Sequence, residues 1–558
     1  MRKKWGAILL AGIMLFTAAC GSGAKTETAA GTSEQGTESK AAADGDTVSF
    51  EWFLDASQLP QGWSGDQPIF QAITEATGCA PNITIPAADA STKLNLMISG
   101  GQLPDLISVT NSDGNMTLIN DMIEAGLIWD MQEFAETYMP EDSQFLKNFP
   151  EDIKEAVTKR DGGWYCYPSH IISDDAAEIW GYPEPLKEYY DDLKYSSQFS
   201  IFFNKELIEK MGVDVNSIDT EEKLLDFLEQ VKTSGIKNES GADIYPIVMP
   251  PIDLYNTPAL NFQFGALPFD EDGNYRSVYY DPNYRHAIAF LNKCYQKGYL
   301  DESLFTMDNA TLVSLCNSTR AMVYAGGLSA LGNHNDPLWC TPGPIQSSNG
   351  AKPVLGVETA VNKGWIQTVV KKDCKNPEAI ARFLDYMTSR EGMMMHMYGI
   401  EEDDYYFDDQ NMLHRTDTGS SKVEDGVTGM FGFFAFHHSS FSRSVEYVDL
   451  STVTGNGTAL GASDKTFKYS TSLLEVPTSY VEAGSDYEFI HNEVVTYVDS
   501  NLAKIILAKD DATFEAMFDE FLAKLDELRL PEYDAYINVK VQENCKEEGV
   551  RLTDGLTN

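Results

Sequence analysis

The amino-acid sequence predicts an α/β protein built as two lobes, each with a sheet covered by helices. Short strand-like and helix-like segments alternate along the first part of the chain, which favours a sheet with helices on both faces. About 510 residues follow position 46, and a chain of that length exceeds what one hydrophobic core can hold. We therefore expect two lobes rather than one.

The N-terminus has the pattern of a signal peptide. Three basic residues at positions 2–4 precede an apolar stretch, 5–16, that is short for a membrane-spanning helix. Small residues then lead into Cys20 and Gly21, in a pattern similar to a bacterial lipobox. We expect residues 1–19 to be cleaved off and Cys20 to carry a lipid anchor, palmitate included. The alternative is an ordinary signal peptide in which Cys20 has no role.

Residues 20–46 are predicted to be the lipidated cysteine and a disordered tether. After Cys20 the segment contains small, polar and charged residues, with no aromatic side chain and no aliphatic one larger than alanine. Such a composition buries too little apolar surface to offset the chain entropy lost on folding. The signal peptide, the anchor and the tether together predict a protein on the extracellular face of the cell membrane.

Composition excludes several classes of partner and site. The chain has 41 basic and 85 acidic residues, a net charge of −44 at pH 7, which repels nucleic acids and anionic lipid headgroups. The cysteines beyond Cys20 are odd in number and scattered, without a C-x-x-C pair, so neither a disulfide framework nor a zinc site is expected. Most of these thiols should be buried as small apolar side chains.

The first lobe opens with alternating strands and helices. In the first segment Val48, Phe50 and Trp52 alternate with polar residues, as in a half-buried strand. The predicted elements in order are a strand at 47–53, a helix at 69–77 ended by Gly78, a strand at 80–85, a helix around Leu94–Ile98 and a strand at 106–109. This order is typical of an α/β sheet.

Three later stretches predict amphipathic helices. Their apolar residues recur at i, i+3, i+4 and i+7, the spacing of one helix face. The faces are Leu224, Phe227, Leu228 and Val231; Ile380, Phe383, Leu384 and Met387; and Phe514, Met517, Phe518, Phe521, Leu522 and Leu525. Glu221 and Glu222 would lie in the first turn of the first helix, where the helix dipole favours acidic side chains. Asn376 and Pro377 predict the N-cap and the first residue of the second helix. We interpret all three faces as core-packing faces.

Five segments in order resemble motifs of one protein family. They are Gly101–Ile107 (GQLPDLI), Asp161–Pro168 (DGGWYCYP), Phe202–Gly212 (FFNKELIEKMG), Arg320–Gly327 (RAMVYAGG) and Cys374–Ala379 (CKNPEA). With them the chain resembles the extracellular solute-binding proteins, the family that contains maltose-binding protein, and in particular its Gram-positive lipoprotein branch. The resemblance covers nearly the whole chain after the tether.

The resemblance implies a two-lobe periplasmic-binding-protein-like fold of type II, with the ligand held in a cleft that closes between the lobes. Carried onto this sequence, it places the crossings between lobes near 165–170, 311–320 and 401–410. Lobe one would comprise 47–164 plus 321–400, and lobe two 165–320 plus 401–558.

The resemblance also implies a function. The implied protein is a monomeric, lipid-anchored substrate-binding protein that passes a small solute, in particular an oligosaccharide, to the permease subunits of an ABC importer. No cofactor is implied. No catalytic signature such as G-x-S-x-G, G-x-x-x-x-G-K-[ST] or H-E-x-x-H occurs in the sequence, so we expect no enzyme. Three alternatives stay open: a lipoprotein glycoside hydrolase, a ligand sensor for a membrane kinase, and a structural or adhesive lipoprotein.

No metal site is predicted. Asp270–Gly273 is acidic, but the following residues lack the glycine and glutamate of an EF-hand loop, and a turn is expected. Asn238–Asp243 lies where relatives carry an aspartate-rich loop, with Asn238 and Ser240 in place of charged ligands. His437 and His438 are neighbours, whose side chains point apart on a regular element, and we interpret them as surface histidines.

The predicted ligand site combines aromatic rings with polar groups, since sugars present apolar ring faces edged by hydroxyl groups. Its residues lie at the ends of predicted strands, at the first crossing, or after the segment Arg320–Gly327. The candidates are Trp52, Asp55, Thr110, Asn111, Tyr167, His170, Gly327 and Ser329. Leu328 stands where sugar-binding relatives carry a stacking residue. For each aromatic candidate, packing in the core is the alternative.

Overall fold

Short strands made mostly of buried apolar residues form the sheets of this protein. The computed structural model describes residues 47–55, 67–86, 90–193, 199–250, 263–331, 338–358, 364–424, 427–428, 433–454, 457–463, 465–477, 480–482 and 484–554. The strands are β1 Glu51–Leu54, β2 Asn82–Thr84, β3 Leu106–Thr110, β4 Tyr167–Pro168, β5 Phe199–Asn204, β6 Tyr245–Val248, β7 Ala321–Gly327, β8 Trp339–Cys340, β9 Val354–Val357, β10 Ile366–Val370, β11 Tyr405–Phe407, β12 Leu413–Arg415 and β13 Phe467–Ser470. Cys20 and the predicted tether lie outside the described residues.

Helices separate most of these strands, which confirms the predicted α/β class. They are α1 Pro68–Thr77, α2 Ala90–Ser99, α3 Asp113–Glu124, α4 Met131–Tyr138, α5 Gln144–Lys147, α6 Glu151–Asp161, α7 Asp174–Trp180, α8 Lys187–Leu193, α9 Lys205–Lys210, α10 Glu221–Ser234, α11 Pro282–Gln296, α12 Asn309–Asn317, α13 Pro377–Met387, α14 Arg390–Tyr398, α15 Asp417–Glu424, α16 Ser439–Val445, α17 Leu450–Val453, α18 Ala459–Ser463, α19 Asp486–Ile506, α20 Asp511–Glu527 and α21 Leu530–Glu548. None of the described helices is long and apolar enough to cross a membrane.

The first large sheet has the strand order β2-β1-β3-β10-β4. Strand β1 runs parallel to β2 and β3, whereas β10 runs antiparallel to both β3 and β4. The carboxyl ends of β1, β3 and β4 therefore meet the amino end of β10 at one edge of the sheet. Every residue of β10 is buried, as expected for an inner strand covered on both faces.

The second large sheet has the order β6-β7-β5-β8, with β7 antiparallel to β5 and parallel to β6. The predicted helices α10, α13 and α20 are confirmed, and their apolar faces are buried apart from Met517 and Leu522, which are partly buried. Thr220 caps α10 by accepting a hydrogen bond from the Lys223 amide. The expected cap at Asn376 is not made by its side chain, and Pro377 begins α13 on its own.

Strand pairing contradicts the predicted lobe boundaries. The segment 321–400 was assigned to lobe one, but β7 lies between β5 and β6 of the second sheet, and the chain joins the first sheet again only with β10. The predicted crossing at 311–320 is instead α12 and the turn into β7. All seven residues of β7 are buried, as expected for a strand at the centre of a sheet, but its local sequence does not reveal which of the two sheets it joins.

A second correction concerns the segment after residue 400, which was assigned to lobe two. Phe433 and Phe436 belong to the core of the first sheet, and the Phe436 ring lies 5.7 Å from that of Trp52. The predicted crossing at 401–410 contains β11, which pairs with β12 in a hairpin. These contacts assign at least residues 433–436 to the lobe that is built around the first sheet. The first crossing, near 165–170, stays a prediction.

Candidate functional site

Polar side chains gather where the strands of the first sheet end. Asp55 follows β1, and its Oδ2 accepts hydrogen bonds from the Thr110 hydroxyl (3.1 Å) and the Thr110 amide (3.4 Å) at the end of β3. Asn115 Nδ2 donates to Thr110 Oγ1 at 2.9 Å and to the Thr110 carbonyl at 3.1 Å. Two of the predicted site residues, Asp55 and Thr110, are therefore brought together, and Asn115 in the first turn of α3 holds Thr110 in place.

A turn before β10 completes this edge and presents an indole ring. Gly364 has φ of +80°, and a Cβ there would lie 2.4 Å from Pro168 Cβ, so the turn requires glycine. The Asn111 amide donates to the Trp365 carbonyl at 2.6 Å, and Asn111 Nδ2 donates to the Gly364 carbonyl at 3.3 Å. The Trp365 side chain is 41% exposed. Asn111 thus holds the backbone of Trp365, whose side chain is exposed, against the end of β3.

His170 lies on the other side of the same turn. Its φ is +56°, an uncommon conformation for a residue other than glycine. Ser169 Oγ lies 2.7 Å from His170 Nδ1 and accepts a hydrogen bond from the Ile366 amide at 3.0 Å. The His170 ring meets the Trp365 ring edge-on, with centroids 5.4 Å apart, and lies 4.5 Å from the His437 ring. The edge therefore holds Asp55, Thr110, Asn111, Trp365, His170 and His437, which we call the sheet-edge site.

Trp52 and Tyr167 lie in the core beneath this edge, the alternative that the sequence left open. Trp52 is 0% exposed, and its Nε1 donates to Ser108 Oγ at 3.0 Å. The Tyr167 ring lies 5.5 Å from that of Phe145, and burial raises the pKa of its hydroxyl. Both rings are enclosed because helices cover the sheet on both faces, whereas the alternation around Trp52 predicted a half-buried strand.

The remaining two candidates belong to the second sheet. Gly327 ends β7, and its carbonyl accepts a hydrogen bond from the Tyr324 hydroxyl at 3.1 Å. A Cβ at Gly327 would lie 2.9 Å from the Phe199 ring, so the glycine makes room for an aromatic side chain that is itself 37% exposed. Ser329 lies in the short turn Leu328–Leu331, and its side chain is outside the described part of the structure. Leu328 is buried.

Sequence reasoning missed Trp365, His437 and Phe199. The candidates were chosen at the carboxyl ends of predicted strands. However, β10 in the first sheet and β5 in the second run antiparallel to their neighbours, so the amino ends of β10 and β5 lie beside those carboxyl ends. A signal was present, since Trp365 directly precedes the apolar run Ile366–Val370.

The interpretation of His438 as a surface residue is wrong. Its ring is 0% exposed and caps α16 by accepting a hydrogen bond from the Phe441 amide. Burial lowers the pKa of His438 to about 3. His437, by contrast, is partly exposed and contacts His170.

In the two acidic loops, 270–274 and 238–243, side-chain oxygens accept hydrogen bonds from neighbouring residues of the same loop. Asp270 Oδ1 accepts hydrogen bonds from the amides of Asp272 (3.0 Å) and Asn274 (2.8 Å), which confirms the expected turn. Asn238 Oδ1 accepts from Ser240 Oγ at 2.8 Å, and Lys237 forms an ion pair with Asp243 at the same loop. Within the described residues, no three His, Cys, Asp or Glu side chains form a group that could hold a metal ion.

The cysteines behave as the composition predicted. Six of the seven after Cys20 are buried, and Cys374 is partly buried. Burial raises the pKa of the Cys340 and Cys374 thiols to about 11, which disfavours the reactive thiolate.

Comparison with known proteins identifies the family of this chain. A family model described as bacterial extracellular solute-binding protein matches residues 61–394. Because that match spans more than half of the chain, the chain belongs to this family. The family predicted from the sequence motifs is confirmed.

Curated relatives are similar at low identity. The fructooligosaccharide ABC transporter substrate-binding protein FusA of Streptococcus pneumoniae is 24% identical over 332 residues, which cover 57% of this chain and 56% of FusA. Lipoprotein LipO of Bacillus subtilis is 22% identical over 429 residues, 73% of this chain and 74% of LipO. The first of these alignments spans little more than half of the relative's length.

Solved structures share the fold. FusA of S. pneumoniae in complex with kestose superposes with a TM-score of 0.63 at 17% identity, covering 90% of this chain and 100% of that chain. Alginate-binding protein AlgQ2 without calcium ion gives a TM-score of 0.58 at 13% identity, covering 89% and 98%. These matches confirm the predicted two-lobe fold class of solute-binding proteins.

Proposed function

We propose that this chain is the lipid-anchored receptor of an ABC importer and captures a neutral oligosaccharide at the sheet-edge site. One observation carries the proposal: a Trp365 ring that is 41% exposed stands beside the polar side chains of Asp55, Thr110 and Asn111. In this proposal the protein acts as a monomer that closes on its ligand and delivers the ligand to permease subunits. It binds the sugar without transforming it.

The chemistry of the site suits a sugar. An indole face provides a flat apolar surface for the C–H face of a pyranose or furanose ring. Asp55 and Thr110 provide acceptor and hydroxyl groups, and Asn111 makes two hydrogen bonds to the backbone carbonyls of Gly364 and Trp365. An aromatic platform edged by such groups is the combination that recognises hydroxyl-rich ligands.

The charge of the site favours neutral sugars over acidic ones. Asp55 brings a carboxylate to the edge, and the chain has a net charge of −44 at pH 7. A uronate or sulfate group near Asp55 would be repelled, whereas a hydroxyl group would donate to it. The relative FusA supports this choice, since its described ligands are fructooligosaccharides such as kestose.

A thermal-shift panel with the mature protein tests the proposal. The panel contains kestose, nystose and other neutral oligosaccharides, with alginate oligosaccharides as the acidic control. At 100 times its dissociation constant, a bound sugar should stabilise the protein by about 2.7 kcal/mol. Stabilisation by alginate fragments alone would contradict the neutral-ligand proposal. Hydrolysis of a panel sugar would favour the hydrolase, and no shift with any sugar would favour a structural lipoprotein.

Trp365→Ala should weaken binding of the sugar that gives the largest shift. Losing a stacked ring removes apolar contact area and admits water to nearby hydrogen bonds, so we expect a loss of about 1 to 3 kcal/mol in binding free energy, roughly 5- to 150-fold in affinity. Titration calorimetry measures it. Tyr406→Ala is the matched control, because Tyr406 is 45% exposed on the β11–β12 hairpin. Equal affinity of the wild type and Trp365→Ala would refute the sheet-edge site.

Cys20→Ser should release the protein from the membrane or leave it uncleaved, because a serine cannot receive the lipid. The relative LipO is itself a lipoprotein, which supports this anchor. Fractionation of cells that produce the full chain measures the distribution between membrane and medium. Cys374→Ser, at a partly buried cysteine of the folded body, should stay in the membrane fraction. A Cys20→Ser protein that is processed and still membrane-bound would contradict the anchor.

A further inference from the structure

A buried glutamine lies directly beneath the Trp365 turn. Gln367 is 0% exposed, and along β10 its side chain shares a face with Val369, which packs in a cluster with Ile107 and Val109. A primary amide in such apolar surroundings requires partners for both its oxygen and its nitrogen. The partners of Gln367 therefore show what this residue does.

Gln367 joins a buried ion pair to the turn. At the end of α6, Arg160 makes a two-pronged contact with Asp161 through Nε and Nη2, each bond 2.6 Å long. The side chains of these residues are 13% and 1% exposed. Arg160 Nη2 also donates to Gln367 Oε1 at 3.0 Å, and Gln367 Nε2 donates to the Gly364 carbonyl at 3.3 Å.

The arginine determines which way the amide points. A guanidinium group carries only donors, so Gln367 must present its oxygen to Arg160 and its NH₂ group to Gly364. The Gly364 carbonyl, which belongs to the peptide that leads into Trp365, then accepts from both Gln367 Nε2 and Asn111 Nδ2. Two donors on one carbonyl restrict the rotation of that peptide, and with it the position of the indole ring.

We infer that Arg160 and Gln367 are positioning residues, which hold the Trp365 ring in the orientation that a sugar requires. The inference rests on the proposed function. A ring fixed before binding loses less conformational entropy on binding. Affinity therefore depends on the hydrogen bonds that run from Arg160 through Gln367 to Gly364, which we call the relay, although neither Arg160 nor Gln367 touches the ligand.

Two variants break the relay while leaving the fold's main contacts in place. Gln367→Met keeps the side-chain length and removes both hydrogen bonds. Arg160→Lys keeps a cation for Asp161 but loses the planar fork that reaches Gln367. Thr368→Val is the matched control: it removes a buried hydrogen bond to Ser108 (2.8 Å) from the opposite face of the same strand.

Fluorine NMR of protein labelled with 5-fluorotryptophan reports on the ring without any ligand, and Trp365→Phe assigns the Trp365 resonance. Gln367→Met and Arg160→Lys should shift or broaden that resonance, whereas Thr368→Val should leave it in place. In titrations with kestose, Gln367→Met should lose about tenfold in affinity, and Thr368→Val much less.

An unchanged Trp365 resonance in both relay variants would overturn the inference. So would kestose affinity equal to that of the wild type in Gln367→Met, if Trp365→Ala itself loses affinity. Failure of the wild type to bind any panel sugar would count against the proposed function, while the resonance would still decide whether Arg160 and Gln367 hold the ring.

Discussion

Two buried histidines alone should remove on the order of 5 kcal/mol from the free energy of unfolding between pH 7 and pH 4. His396 and His438 are both 0% exposed. Burial lowers the pKa of His396 to about 4 and that of His438 to about 3. In the unfolded chain each imidazole has a pKa near 6.5.

The direction of this pH effect on stability follows from the number of protons that the folded and unfolded states bind. Between about pH 6.5 and the lowered folded values, the unfolded chain is protonated at both positions and the folded protein is not, so acid favours unfolding. The surroundings explain the low values. His438 is fully buried and its Nδ1 accepts a hydrogen bond from the Phe441 amide at 3.2 Å, so an added proton would lie in an apolar interior and displace this bond. The His396 ring packs near Phe433 and Phe436.

Urea unfolding at each pH from 7 to 4 measures the effect. His438→Asn should keep the cap on α16, because an asparagine oxygen can accept from the Phe441 amide, and should flatten the pH dependence by about 1.4 kcal/mol per pH unit between pH 6 and 4. His491→Asn is the control, since that ring stays partly exposed. A His438→Asn protein as acid-sensitive as the wild type would show that the buried imidazole is not responsible.

Trp52→Ala should cost about 3 to 5 kcal/mol of folding stability and leave sugar affinity unchanged in the folded fraction. The ring is enclosed by Phe383, 5.8 Å away, and Phe436, 5.7 Å away, and its Nε1–H is bonded to Ser108. Truncation leaves a cavity between α13 and the first sheet and removes one of the two side-chain hydrogen bonds of the Ser108 hydroxyl, which keeps its bond to Thr368. Chemical denaturation gives the stability, and titration with kestose gives the affinity.

Trp52→Phe provides the comparison, because it keeps an aromatic ring in the cavity and should lose much less stability. Trp365→Ala should show the reverse pattern, with weakened binding and a small change in stability. If Trp52→Ala instead binds sugar poorly and unfolds like the wild type, Trp52 faces the ligand as the sequence first suggested.

Local patterns predicted most of the elements. The strand expected at 106–109 is β3, Leu106–Thr110, and the helix expected at 69–77 is α1, Pro68–Thr77. The i, i+3, i+4, i+7 faces of α10, α13 and α20 are core faces as expected. These features depend on neighbours in sequence, so periodicity, proline and glycine are enough to predict them. The five ordered motifs likewise led to the correct family.

Long-range pairing decided the rest. Whether Trp52 meets a ligand or a core depends on Phe383 and Phe436, which lie hundreds of positions away and cover one face of β1. The lobe that holds β7 depends on its hydrogen bonds to β5 and β6. In the same way, Trp365 reaches the edge beside Asp55 because β10 enters the sheet antiparallel to β3. The sequence by itself thus determined the elements and the family. Only the tertiary structure decided which side chains form the candidate site, because strand direction and the covering of each sheet face are set when distant segments pack.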